Sequence, residues 1–137
     1  MNFLVDTDVL SEPSKPRPSP KVEAWFETNQ ALLHTSAITI GELTHGIELL
    51  PAGARRTQLE RWLEHVLAKM TGRILAYNTR VGQIWGVLMA DLERQGRKMP
   101  LADSYIAAIG KRHNLTLATH NSEDYSRVGI RVFNPFL

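Results

Sequence analysis

Short apolar runs alternate with helical stripes along the whole 137-residue chain, and that order limits the fold more than any other feature. Residues 2–6 (Asn-Phe-Leu-Val-Asp) read as a buried strand whose end presents Asp6. Residues 12–20 hold four of the seven prolines and predict an exposed, extended loop. Val22, Trp25 and Phe26 fit a short helix over 21–28, and residues 32–36 a second strand. Ile40, Leu43, Ile47 and Leu50 form a helical stripe that Pro51 ends. Leu59, Trp62, Leu63, Val66, Leu67 and Met70 follow the spacing of one helical face, so 54–70 is an amphipathic helix. Residues 79–95 repeat that spacing through Val81, Ile84, Trp85, Leu88, Met89 and Leu92. Residues 73–77 between them read as a strand, 101–113 as a helix, and 115–119 and 128–133 as the last strands. This order predicts an α/β fold with a central, mostly parallel sheet and helices on both faces. The length suits a single domain, 1–137.

Composition excludes several classes. Hydrophobic residues make up 43% and charged residues 22%, as in globular rather than disordered chains. No apolar run approaches a membrane span. The opening Met-Asn-Phe-Leu-Val-Asp lacks a basic stretch and reaches a carboxylate by position 6, so it does not read as a secretory signal. Without cysteine there are no disulfides and no thiolate metal ligands, which fits a cytoplasmic protein. The net charge of +2 permits nucleic-acid binding without demanding it.

In open parallel sheets, sites form beyond the carboxyl ends of the strands. Acids there carry more weight than acids elsewhere. Asp6 ends the first strand, Glu42 lies early in the helix after the second, Asp103 in the first turn of the helix after Pro100, and Asp124 beyond the strand ending at Thr119. Converging carboxylates repel one another unless a cation neutralises them. A set of hard oxygen donors without Cys or a His cluster suits Mg²⁺ or Mn²⁺. The chemistry such a cation serves is phosphodiester hydrolysis. Each acid also has a structural alternative. Thr39-x-x-Glu42 fits a capping box, Asp103 suits the positive end of a helix, Asp8 can cap the next short helix, and Asp124 can be an exposed helix-start residue. Asp6, directly after Phe-Leu-Val, is the hardest to explain by solvation. The five histidines are scattered and read as surface or helix-end residues, with His120 of interest for its place beside Thr119.

Four stretches together resemble a known family. Leu4-Val5-Asp6-Thr7-Asp8-Val9-Leu10-Ser11-Glu12 is similar to the opening of PIN-domain proteins. Ser36-Ala37-Ile38-Thr39-Ile40-Gly41-Glu42-Leu43-Thr44-His45-Gly46, Leu101-Ala102-Asp103-Ser104-Tyr105-Ile106-Ala107-Ala108 and Leu117-Ala118-Thr119-His120-Asn121-Ser122-Glu123-Asp124-Tyr125 resemble the later signatures, in family order. The resemblance is to VapC/FitB-type toxins of type II toxin–antitoxin systems. It implies a PIN-like fold and a Mg²⁺- or Mn²⁺-dependent endoribonuclease acting on tRNA or other structured RNA. Asp6 and Asp103 would be the principal metal ligands, Glu42 would complete the acidic pocket, and Thr119 would hold it by hydrogen bonding. The chain departs from the family at the fourth acid, where Asn121 stands; either Asn121 or Asp124 fills that place. The resemblance also implies a homodimer, a cognate antitoxin of the VapB/FitA kind whose tail enters the acidic groove, and operator DNA reached only through that antitoxin.

Basic residues at Arg55-Arg56, Arg61, Arg94-Arg97-Lys98 and Lys111-Arg112-His113 are candidates for phosphate contact. Two rival readings stand beside the nuclease. A PIN domain of weak catalysis would bind RNA or antitoxin only, as Asn121 suggests. A haloacid-dehalogenase-like phosphatase would use Asp6-Thr7-Asp8, but the chain is short for that class and lacks its later acidic pair.

Overall fold

A computed structural model describes residues 1–137. Five strands form the sheet: β1 (Phe3–Val5), β2 (Leu33–Ser36), β3 (Ile74–Leu75), β4 (Thr116–Ala118) and β5 (Val132–Phe133). Their order is β3-β2-β1-β4-β5, and every pairing is parallel. The sheet is therefore wholly rather than mostly parallel. Seven helices surround it: α1 (Thr7–Ser11), α2 (Pro20–Asn29), α3 (Ala37–Glu48), α4 (Ala54–Lys69), α5 (Thr79–Arg94), α6 (Leu101–His113) and α7 (Ser122–Ser126).

The two-residue period of β1 divides the core. Leu4 points into a cluster built on α5 and α6, with Val81, Leu88, Leu92, Ile106 and Ile109. Phe3 and Val5 point the other way, into a cluster with Val9, Leu10, Leu33 and Met70, against which Trp25, Phe26 and Val66 pack. Helices thus cover both faces, as parallel sheets require. α6 packs so closely on the segment leading into β5 that a side-chain carbon on Gly110 would come within 2.6 Å of Ile130.

Local differences from the sequence expectation have simple causes. The proline-rich stretch is not wholly extended: residues 12–14 make a 3-10 turn, and Ser19 caps α2 with Pro20 in its first turn. β5 is shorter than 128–133 because Gly129 turns the chain in the left-handed region, at φ 73°. α1 is capped by Asp6, which accepts from the Val9 amide, so Asp8 is not the cap. α3 begins at Ala37 with Ser36 as its cap, which places Glu42 in the second turn, outside any capping box with Thr39.

Candidate active site

The strand order reverses at β1, with β2 on one side and β4 on the other. Val5 is in register with Ala118, so the next residues, Asp6 and Thr119, leave the sheet side by side. The Thr119 hydroxyl donates to Asp6 Oδ2 at 2.5 Å, and the Val9 amide donates to Asp6 Oδ1 at 3.0 Å. Both carboxylate oxygens are held, although Asp6 is only 5% exposed. Burial raises its pKa from 3.8 to about 6; the two hydrogen bonds work against that rise, and the charges of Asp8 and Asp103 add to it.

Asp103 stands in the first turn of α6, half-buried. Burial again raises its pKa, and the charges of Glu42, Asp124 and Asp8 push the same way. The Tyr125 hydroxyl beside it acts in the opposite direction. Glu42 is exposed and oriented from β1's side of the site: the Thr7 hydroxyl donates to its Oε1 at 2.5 Å. Thr7 lies 3.3 Å from the Thr39 hydroxyl, which lies 3.3 Å from that of the cap Ser36. Asp124 is exposed in the first turn of α7 but within electrostatic reach of Asp103. Asn121 is also exposed; its backbone N–H, rather than its amide side chain, donates to the Thr119 hydroxyl at 3.0 Å. Asp6, Glu42, Asp103 and Asp124 therefore share one neighbourhood at the carboxyl edge of the sheet.

No three of these groups form a ready cage of metal ligands. The donor chemistry still fits a hard cation that keeps several waters and takes one or two carboxylates, as Mg²⁺ does. Two desolvated carboxyls with raised pKa values, facing further acids, are the arrangement that a cation relieves. The histidines do not join the cluster: the His120 ring packs on Phe136 with centroids 4.8 Å apart. Asp8 and Thr7 also belong to the site, Thr7 as an orienting group that no motif singles out. Its only signal is its place between two acids.

The basic residues fall into distinct settings. Arg56 is engaged by Glu48 at 2.8 Å and by backbone carbonyls, and Arg94 by Asp91 at 2.9 Å. Lys111 is eight residues beyond Asp103 on α6, about 12 Å along the axis, so the Lys111-Arg112-His113 group lies at the far end of that helix from the acids. Arg97 and Lys98 are exposed in the short connection that leads into α6 and Asp103. Glu42 also lines a groove with Lys15, Arg55 and Trp62. Trp62 in turn borders an apolar pocket of about 420 Å³ among Leu10, Phe26, Val66 and Met70.

The PIN-domain model matches residues 3–130, almost the whole of this all-parallel α/β chain, and the chain belongs to that family. Toxin FitB of Neisseria gonorrhoeae is 36% identical over 136 residues, which cover 98% of each chain. VapC ribonuclease Y4jK of Sinorhizobium fredii is 35% identical over 136 residues, covering 98% of this chain and 97% of that one. A chain in a solved structure of FitAB bound to an IR36 DNA fragment superimposes with a TM-score of 0.92 at 34% identity, over 98% of this chain and 96% of its own. The family suggested by the four sequence stretches is thus the one the chain belongs to, and its relatives include named toxins and ribonucleases.

Proposed function

We propose that this chain is a Mg²⁺- or Mn²⁺-dependent endoribonuclease, the toxin of a type II toxin–antitoxin module, that hydrolyses phosphodiester bonds of tRNA or another structured RNA. The observation that carries the reading is the gathering of Asp6, Glu42, Asp103 and Asp124, from four separate stretches, into one partly desolvated acidic site. The names of its relatives support the reaction class.

Asp6 and Asp103 would hold the cation, with Glu42 directly or through water. The bound cation would supply acidified water and offset charge on a phosphoryl oxygen. The chain's own groups do the rest. Thr119 and the Val9 amide fix both oxygens of Asp6, so this carboxylate needs little reorganisation when it binds. Glu42, held by Thr7, or Asp124 would orient the attacking water. Asp124 occupies the neighbourhood of the fourth acid, while Asn121 shapes the loop through its backbone. Arg97 and Lys98 are the exposed cations suited to the RNA backbone. The products would carry 5′-phosphate and 3′-hydroxyl ends.

The antitoxin, of the VapB/FitA kind, would lay an apolar segment in the pocket beside Trp62 and extend a cationic side chain toward Glu42. Operator DNA would be reached only through it, and the working toxin would be a homodimer in the cytoplasm. No helix is long and apolar enough to cross a membrane.

Incubation of purified chain with total RNA in Mg²⁺, Mn²⁺ and EDTA tests the reading. Cutting in either metal and none in EDTA is the expected result. RNA that is bound but intact under every condition would favour the binding-module reading, which Asn121 at the fourth position motivates.

A further inference from the structure

Tyr125 is the one buried hydroxyl at the site with no hydrogen-bond partner. Its ring is 1% exposed and packs in the core cluster with Leu4, Ile106, Val128 and Ile130. That packing fixes where the ring can go. Its hydroxyl lies close enough to the Asp103 carboxylate to act on it as a donor, with Asp6 and Glu42 nearby, but does not reach the geometry of a well-formed hydrogen bond. Tyr125 is also the one side chain that brings a donor onto Asp103, whereas Asp6 has two donors and Glu42 has one. A buried donor without an acceptor is unfavourable, and phenylalanine would fill the same apolar space without that cost. The hydroxyl is therefore poorly satisfied in the metal-free chain, and Asp103 is the acceptor within its reach.

We propose that Tyr125 is a positioning residue of the cation site: its hydroxyl donates to the Asp103 carboxylate in the cation-bound state and holds that ligand in place. This rests on the cation-dependent reading above. The role parallels the Thr119 hydroxyl on Asp6, so each principal carboxylate has one hydroxyl behind it. Such outer groups set the orientation of a ligand and its affinity for metal without touching the cation.

The test compares wild type and Tyr125→Phe by Mn²⁺ titration, read from the electron paramagnetic resonance signal of free Mn²⁺, and by thermal unfolding in EDTA. Removing only the hydroxyl should weaken Mn²⁺ binding by about tenfold. In EDTA the variant should unfold at the same temperature as wild type or higher, because an unpaired buried hydroxyl has been removed. The effect should also vanish in an Asp103→Asn background, since the two residues act as one unit. Unchanged Mn²⁺ affinity in Tyr125→Phe would overturn the proposal. So would a lower unfolding temperature in EDTA, which marks a structural hydroxyl, or additive losses with Asp103→Asn. Failure of the wild type itself to bind Mn²⁺ is a separate result: it would overturn the cation-site reading and Tyr125's role with it.

Discussion

Asp6 is buried at the end of an apolar strand, and its charge is carried at a cost to the metal-free fold. Its pKa rises from 3.8 to about 6 on folding, so between these values the folded chain binds more protons than the unfolded one. Stability must then fall as pH rises from about 4 through about 6, and level off above. Glu12 acts in the opposite sense at lower pH: Lys15 and the Ser19 amide hold its pKa below 4.5, so its stabilisation is lost only as acid protonates it. His113, whose pKa burial lowers, is common to wild type and any Asp6 variant and drops out of their comparison. Asparagine keeps an oxygen to cap α1. In EDTA, Asp6→Asn should therefore gain stability over wild type as pH goes from 5 to 7.5, by about 1–3 kcal/mol, read as the divergence of their urea midpoints. Parallel midpoints would show that Asp6 is not desolvated. At this scale the sequence made Asp6 legible, because an acid after Phe-Leu-Val has no simple solvated role. Tyr125 was legible only as part of a motif. Its burial depends on how α7 docks, which no local pattern encodes.

Helix starts position most of the site. Asp6 caps α1, Ser36 caps α3, and Asp103 rides in the first turn of α6. The Ser36 hydroxyl accepts from the Thr39 amide at 3.1 Å and stands behind the Thr39–Thr7–Glu42 chain of hydroxyls and carboxylate. Ser36→Ala should cost about 1 kcal/mol in urea unfolding, the usual price of a lost cap. It should also loosen Glu42 and lower RNA cleavage, while Thr44→Ala, on the same helix but bonded only to the Ile40 carbonyl, should leave cleavage unchanged. Equal cleavage in both variants would detach the cap from the site. The long helices α4 and α5 were readable from their periodicity. The true start of α3 was not, because Ser36 and Thr39 are both good caps and only the end of β2 decides between them. β3 and β5, two residues each, are set by pairing rather than by propensity.

At the scale of the molecule, parallel register converts four distant stretches into one site. β1 and β4 end together, and the helices that follow β2 and precede β4 bring Glu42 and Asp103 to the same edge. The strand–helix order made the sheet and its covered faces readable. Which basic residues share the active edge was not readable, since that depends on the direction of each helix. Replacing Arg97 and Lys98 with alanine should weaken RNA binding and lower the salt slope by about 1 per lost phosphate contact, whereas the same change at Lys111 and Arg112 should do less. Binding titrations from low to high salt would read this, and equal slopes for the two pairs would contradict the placement. The central claim is that Asp6 and Asp103 hold the cation that cuts RNA. Its most direct test is cleavage of end-labelled RNA in Mg²⁺ or Mn²⁺ by wild type, Asp6→Asn and Asp103→Asn, with folding checked by circular dichroism. Wild type should release 5′-phosphate ends, and each folded variant should cut at least about 100-fold more slowly. Cleavage that persists undiminished in either folded variant would contradict the account.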